Sequence, residues 1–272
     1  MQAEAFTALP EVVDALCYVG RGKHPVAPDF YGHDAETLLE EMAQKGIAEA
    51  VVHHNLGRLS HPIDGNAATM RLLEGQPRLH ACWALLSRAS REYPLFEEYI
   101  ETAVRQGVRC FSAFPRFGSL PAGYDTSLRE MTRAGTFGPL AERRLPLFVD
   151  FGANPAAGVD DTDWEALRFL LAAHPSLPVI LCEFRLRAGC RVFPGLMDDF
   201  PNLHLETSGM WNYRSLEFVA QHWGAERLIY GSRTPWRSVG LALGMVTMAD
   251  LTTRERALVL AGNLRRLMEG AQ

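Results

Sequence analysis

Residues 145–152 carry the pattern that decides the fold of this chain: Leu145-Pro146-Leu147-Phe148-Val149-Asp150-Phe151-Gly152. The run is apolar up to Val149, and a carboxylate then follows two residues before a glycine. Strands of a parallel sheet that are buried on both faces read as near-continuous apolar runs of this kind. The stretch therefore predicts a buried parallel strand with a polar side chain, Asp150, at its carboxyl end.

Two later stretches repeat this design. Residues 178–183 (PVILCE) end on Glu183, and residues 227–233 (RLIYGSR) end on Arg233. The carboxyl ends of parallel strands meet on one side of a sheet or barrel, and that side carries the active site in barrel enzymes. We therefore expect Asp150, Glu183 and Arg233 to share one polar site.

The composition excludes several classes of protein. The chain has 272 residues, of which 47% are hydrophobic and 22% are charged, which is typical of a globular domain with a large core. A net charge of −5 and a pI of about 6.0 argue against a nucleic-acid surface, which is usually basic. Residues 1–20 lack the basic start and apolar core of a signal peptide, and no apolar run approaches the roughly 18 residues of a membrane span. We expect a cytoplasmic protein that binds neither nucleic acid nor membranes.

Apolar strand-like runs alternate with amphipathic helical stretches along the whole chain. The strand predictions are residues 12–19, 49–54, 79–86, 108–114, 145–152, 178–183, 203–208 and 227–233. This alternation indicates a parallel sheet, and eight such units favour an α/β (β/α)₈ TIM barrel, a single domain over residues 1–272. Neither glycine-rich nucleotide motif is present to support an open sheet. The five cysteines, Cys17, Cys82, Cys110, Cys182 and Cys190, form no C-x-x-C pair and are expected to be free, buried thiols.

Five stretches carry a resemblance to a known family. They are residues 14–20 (DALCYVG), 145–152 (LPLFVDFG), 178–184 (PVILCEF), 228–236 (LIYGSRTPW) and 261–267 (AGNLRRL). With them the chain resembles the amidohydrolase-related family, metal-dependent TIM-barrel hydrolases and decarboxylases, over nearly its whole length. The resemblance implies the same barrel fold and a site at the carboxyl ends of the strands.

The departures from the family pattern all fall on its metal ligands. Where the resemblance implies two histidines in the first strand, this chain has Leu16 and Tyr18. The later two histidines fall on Asp150 and Glu183, and the family's aspartate after the eighth strand falls on Arg233. Leucine has no donor atom, and zinc sites need three or four N, O or S donors. We therefore expect no cofactor.

The first interpretation is a metal-independent hydrolase or lyase that acts by acid/base chemistry on a small molecule, one that could bear a carboxylate. The catalytic candidates are Asp150, Glu183, Arg233 and Tyr18. In one form Arg233 neutralises the two carboxylates, and one of them acts as general acid or base. In the other form Arg233 holds a substrate carboxylate, and Asp150 and Glu183 are the acid/base pair. The residues leave both forms open.

Two alternatives stand beside this interpretation. The charged residues could form a buried ion network in an inactive pseudoenzyme that binds a small molecule or a protein partner. Alternatively, Asp150, Glu183, Glu206 and a histidine could rebuild a site for one divalent metal such as Mn or Zn, in a metal-dependent hydrolase or decarboxylase. Oxygen-rich ligands of this kind favour Mg²⁺ or Mn²⁺ over Zn²⁺.

The candidates for substrate binding lie near predicted strand ends; they are His53, His54, Arg109, Glu206, Trp211 and Trp236. Because side chains alternate along a strand, only one of His53 and His54 can face the site. The expected partner is a small-molecule substrate, and assembly into a homo-oligomer is left open.

Overall fold

The computed structural model describes residues 10–23, 25–93, 95–115, 127–151, 162–183 and 191–271. Cys190 lies outside these residues, as does Gly152 of the opening stretch.

Eight parallel strands form the barrel wall in chain order. They are β1 (Val13–Val19), β2 (Glu49–His54), β3 (Leu79–Ala84), β4 (Cys110–Ala113), β5 (Leu147–Val149), β6 (Val179–Leu181), β7 (Leu203–Glu206) and β8 (Leu228–Ile229). Each strand pairs in parallel with the next. The predicted (β/α)₈ TIM barrel is confirmed, although several strands are shorter than their apolar runs. The charged residues Asp150, Glu183 and Arg233 all lie just beyond the last residue of their strands.

Backbone hydrogen bonds bring the last strand back to the first. Ala15 N donates to Tyr230 O at 3.0 Å, and Tyr18 N donates to Thr234 O at 2.8 Å. An isolated parallel bridge joins Cys17 and Thr234. These bonds satisfy donors that would otherwise lie at an open sheet edge. They also place the turn that follows β8 directly beside β1.

Helices lie between the strands and after β8. They are α1 (Ala35–Lys45), α2 (Asn55–Leu59), α3 (Pro62–Leu72), α4 (Phe96–Arg105), α5 (Leu128–Arg133), α6 (Gly138–Glu142), α7 (Trp164–Ala173), α8 (Phe193–Asp199), α9 (Ser215–Trp223), α10 (Val239–Met248), α11 (Thr253–Ala257) and α12 (Asn263–Glu269). Asp34 caps α1 in a capping box with Thr37, and Gly46 ends the helix in the left-handed conformation. No helix in these described ranges is long and apolar enough to cross a membrane.

The core has two parts, which the alternation of side chains along the strands separates. Leu147 and Val149 of β5 pack in the large cluster between the strands and the helices. Phe148, between them, belongs to the smaller cluster that fills the barrel interior. The period of two along a strand therefore turns the next inward position, Asp150, towards the barrel axis. The four described cysteines, Cys17, Cys82, Cys110 and Cys182, are free and buried, as expected.

Candidate active site

Four side chains from separate strand ends meet over the barrel axis. Arg233 Nη1 lies 3.0 Å from Asp150 Oδ2, and Arg233 Nε lies 3.0 Å from Glu183 Oε2. The hydroxyl of Tyr18, on β1, donates a hydrogen bond of 2.7 Å to Asp150 Oδ2. The structure thus brings together all four catalytic candidates named from the sequence. Their roles in catalysis stay predictions.

Burial makes this group electrostatically strong. Asp150 is 2% exposed and Arg233 is 3% exposed. Burial alone would lower the pKa of Arg233, but the charges of Asp150 and Glu183 outweigh it and raise that pKa well above its ordinary value. Burial also works against ionised Glu183, yet Arg233 and then Arg237 hold the pKa of its carboxyl below the usual value. Glu183 and Arg233 are therefore both ionised at neutral pH, and Asp150 lies within ion-pair distance of the same guanidinium.

Tyr18 stays protonated in this setting. Burial, and next the charge of Asp150, raise the pKa of its phenol well above the ordinary value. Its ring lies 4.5 Å from the ring of Trp236, measured between centroids. The phenol is thus a fixed hydrogen-bond donor to Asp150 on an aromatic wall.

Two further arginines, which the sequence analysis did not identify, line the same mouth. Arg58 comes from α2; its Nε lies 3.8 Å from Asp150 Oδ2, and its guanidinium lies 4.6 Å from the centroid of the Trp236 ring. Arg237 pairs with Glu183 and lies over the exposed ring of Trp211 at 5.1 Å. Both arginines follow a strand end by a few residues, which is the one sequence signal that could have pointed to them.

The mouth carries an excess of positive charge among the described residues. Three guanidinium groups (Arg58, Arg233 and Arg237) face two carboxylates (Asp150 and Glu183). This leaves one net positive charge over a wall of aromatic rings. Such a surface attracts an anion with a flat apolar body, because guanidinium groups bind carboxylates and stack on planar rings.

The two histidines at the end of β2 have different places. His53 points inward, is 1% exposed, and places Nε2 3.2 Å from Ala15 O. Burial lowers the pKa of His53 to about 4, so its ring is neutral at pH 7. His54 caps α2 by accepting a hydrogen bond of 3.0 Å from Leu56 N. The structure uses Nδ1 of His54 in the helix cap and not in the group around Arg233, and a role of His54 in substrate binding stays a prediction.

Arg109 and Glu206 also differ from the sequence prediction. Arg109 donates to the carbonyls of Val104 and Val108, at the amino-terminal end of β4, because that strand begins only at Cys110. It therefore lies at the end of the barrel away from the site. Glu206 is fully buried, and its carboxyl accepts bonds from Glu183 N and from Ser208 rather than facing a ligand. Both assignments to substrate binding are corrected.

The turn after β8 is tied to α1 beside this site. Thr234 Oγ1 donates to Glu41 Oε2 at 2.7 Å, and His33 Nε2 lies 2.9 Å from the same oxygen. Hydrogen bonds from His33, and also from Thr234, lower the pKa of Glu41. A cleft of about 440 Å³ opens along this contact. The network holds the residue next to Arg233 in place from the outside of the barrel.

Comparison with known families agrees with the fold and the resemblance. A family model described as amidohydrolase matches residues 65–268, which is well over half of the chain. The chain belongs to the amidohydrolase family. This membership supports the prediction of an enzyme over a pure binding protein. No curated protein matches the sequence of this amidohydrolase family member.

Solved structures of the same fold include several decarboxylases. A 2,6-dihydroxybenzoate decarboxylase from Rhizobium is 16% identical, with a TM-score of 0.73 over 96% of this chain and 99% of the other. A dihydroxybenzoic acid decarboxylase from Polaromonas sp. JS666 is 13% identical, with a TM-score of 0.74 over 96% and 97%. A 5-carboxyvanillate decarboxylase from Sphingomonas paucimobilis is 13% identical, with a TM-score of 0.72 over 95% and 99%. At these identities the likeness establishes the shared barrel fold.

The prediction that the site takes no cofactor is wrong in the light of these structures. The Polaromonas enzyme is described with bound manganese, and so is a 5-carboxyvanillate decarboxylase from Novosphingobium aromaticivorans. These two proteins favour the divalent-metal alternative that was stated beside the first interpretation.

The residues at the strand ends do not form a complete metal site by themselves. Leu16 has no donor atom, and the guanidinium of Arg233 already lies between Asp150 and Glu183. Across the ranges that the structure describes, no three His, Cys, Asp or Glu side chains are grouped to hold a metal ion. A manganese ion bound here would need donors that these residues do not supply.

Proposed function

We propose that this protein is a lyase that removes carbon dioxide from a small aromatic carboxylate at the carboxyl ends of the barrel strands. The observation that carries the proposal is the guanidinium of Arg58, which lies over the Trp236 ring and beside Asp150 and has few partners among the described residues. The named activities of three barrels with this fold support the same class of substrate.

Arg58 is the group proposed to bind the substrate carboxylate. It is 17% exposed at its side chain, and it donates no hydrogen bond to any residue within the described ranges. Its contacts there are an ion pair of 3.8 Å with Asp150 and the faces of Tyr18 and Trp236. A guanidinium with free donors pairs strongly with a carboxylate. The partly exposed ring of Trp236 below it offers a flat apolar surface for an aromatic ring.

Asp150 is the group proposed to move the proton. In decarboxylation a proton is added to the carbon that bears the carboxylate, the bond to the carboxylate carbon breaks, and its electron pair returns to the ring. Carbon dioxide leaves as a neutral molecule, and water restores the proton. Asp150 is held by Tyr18 and Arg233 at 2.7 and 3.0 Å, so its carboxyl has a fixed orientation for this transfer. Asp150 first takes up a proton from water, which leaves hydroxide, and then passes that proton to the ring carbon.

The proposal is tested by measuring carbon dioxide release from 2,6-dihydroxybenzoate, 5-carboxyvanillate and other hydroxylated benzoates. Each assay is run with added Mn²⁺ and after chelation, so that a need for the metal is detected directly. Release of carbon dioxide from at least one benzoate, with the matching phenol as product, is expected. Hydrolysis of amides without release of carbon dioxide from any benzoate would contradict the proposal.

Replacing Arg58 by methionine should raise KM for the substrate about 10- to 100-fold, with a smaller change in kcat. The reason is the loss of a charged hydrogen-bonded contact worth roughly 1.5–3 kcal/mol. Arg254→Met, at an exposed position on α11, is the matched control and should leave both constants unchanged. If Arg58→Met lowers kcat and leaves KM alone, Arg58 does not bind the ground-state carboxylate.

A further inference from the structure

Two of the charged site residues have a backbone conformation that L-amino acids rarely adopt. Glu183 has φ 50° and Arg233 has φ 59°, both in the left-handed region. A non-glycine residue in this region costs free energy of order 1–3 kcal/mol and persists only when its surroundings hold it. The contacts that hold these two turns therefore also determine where the charged groups lie.

Glu206 supplies such a contact to Glu183. Its carboxyl accepts hydrogen bonds from Glu183 N at 3.0 Å, from Ser208 N at 2.6 Å and from Ser208 Oγ at 2.7 Å. The residue is fully buried inside the barrel. Burial raises the pKa of Glu206 to about 7, although the three donors lower it. A buried carboxyl with these donors is a rigid acceptor at the start of the turn.

The backbone segment that follows β8 leaves room for the Glu206 carboxyl. A Cβ atom built on Gly231 would lie 2.5 Å from Glu206 Oε1 and 2.9 Å from its Cγ. Any side chain at this position would have to displace the carboxyl. Gly231 stands two residues before Arg233, so Glu206 packs directly against the segment that carries the guanidinium. One carboxyl thus contacts both the turn of Glu183 and the approach to Arg233.

We infer that Glu206 is a positioning residue, which holds Glu183 in the left-handed turn after β6 so that its carboxylate meets Arg233. Only the expected effect of Glu206 on turnover rests on the proposed function; its effect on the position of Glu183 does not. Glu206 itself does not touch the substrate space. It acts through the backbone of Glu183 and through the fit against Gly231.

Glu206→Gln is the direct test, because glutamine keeps the shape but places an amide group against one of the backbone donors. We expect the pKa of Glu183 to rise, as its carboxylate moves away from Arg233. We also expect kcat to fall about 10²-fold with little change in KM, since a small misplacement near the chemistry can cost that much. The pKa of Glu183 is followed by carbon NMR of its carboxyl between pH 3 and 8, with Glu183→Gln to assign the signal. Among the residues that the structure describes, the charged groups facing Glu183 are Arg233 and Arg237 at its carboxylate and Glu206 at its backbone N–H, and Asp150 lies on the far side of Arg233.

Ser208→Ala is the matched control, because it removes one donor to the same carboxyl and leaves the bond to Glu183 N. It should lower the melting temperature but leave the titration of Glu183 unchanged. If Glu206→Gln fails to fold, Gly231→Ala displaces the carboxyl from the other side and should raise the same pKa. The inference is overturned if the melting temperature falls while the titration of Glu183 stays at the wild-type value. Because the titration needs no substrate, it decides the matter even if the wild type releases no carbon dioxide.

Discussion

Arg233→Met should lower the free energy of unfolding at pH 7 by about 3–5 kcal/mol, because it leaves two buried carboxylates without the guanidinium that lies between them. Asp150 and Glu183 both lie 3.0 Å from Arg233, and all three are nearly inaccessible to water. Methionine fills a similar volume but offers no donor or charge. Urea denaturation followed by circular dichroism measures the loss.

The loss should depend on pH in a defined direction. In the wild type the pKa of Glu183 is lowered, so its contribution to stability is complete above its ordinary pKa and is lost as the pH falls through the lowered value. In the variant burial dominates and raises that pKa, so the variant becomes more stable as acid protonates the carboxyl. The difference between the two proteins should therefore be largest near pH 7 and shrink towards pH 4.

Arg265→Met provides the control for this experiment. Arg265 also pairs with two carboxylates, Glu11 and Glu49, but its side chain is 31% exposed. Ion pairs in such places contribute about 0–1 kcal/mol, so the expected loss is small. An equal loss of unfolding free energy in both variants would show that Arg233 and its two carboxylates do not form a buried ion group. A loss for Arg233→Met that does not change with pH would show the same.

Asp150→Asn should lower kcat about 10²- to 10⁴-fold, because asparagine keeps the shape of the side chain but cannot transfer the proton. The change concerns turnover, since Arg233 keeps its pairing with Glu183. Rates of carbon dioxide release on the best benzoate, together with melting temperatures, separate loss of chemistry from loss of folding.

Asp34→Asn is the control for Asp150→Asn. Asp34 is an exposed cap of α1, and asparagine caps helices about as well as aspartate. This variant should keep both activity and stability. Full activity in Asp150→Asn would exclude Asp150 as the proton donor and would leave Glu183 and Tyr18 as the candidates for that role.

The barrel and the meeting of the charged strand ends could be predicted from the sequence because both depend on local pattern. An apolar run followed by one charge predicts a buried strand and the direction of the next side chain, as at Asp150. Arg109 is the second residue of its apolar run, 108–114, and so lies at the amino-terminal end of the strand, away from the site. The structure also starts β4 two residues later than that run, at Cys110. Boundaries of this kind depend on pairing with neighbouring strands, which the local pattern does not contain.

Arg58 and Glu206 show a second limit. Arg58 lies on a short helix after β2, and only the fold brings it over Trp236. Glu206 is a charged residue at the end of a strand, and Glu183 is a charged residue just after one, so the two look alike in the sequence. In the structure the Glu206 carboxyl instead accepts a hydrogen bond from a backbone N–H group within the barrel. The difference comes from Gly231, whose missing side chain makes room for the Glu206 carboxyl. Contacts between distant segments therefore decide which strand-end charge faces a ligand.

The joining of the last strand to the first has a consequence for how the protein is made. Asp14 Oδ1 accepts a hydrogen bond from Ser232 N across 218 positions of sequence, immediately beside Arg233. A nascent chain that has not yet released β8 from the ribosome holds Asp150 and Glu183 but lacks their cation. The charged centre that Arg233 completes can therefore form only after the last strand has been made. Until then, the unfinished barrel contains two carboxylates that favour an open, hydrated state.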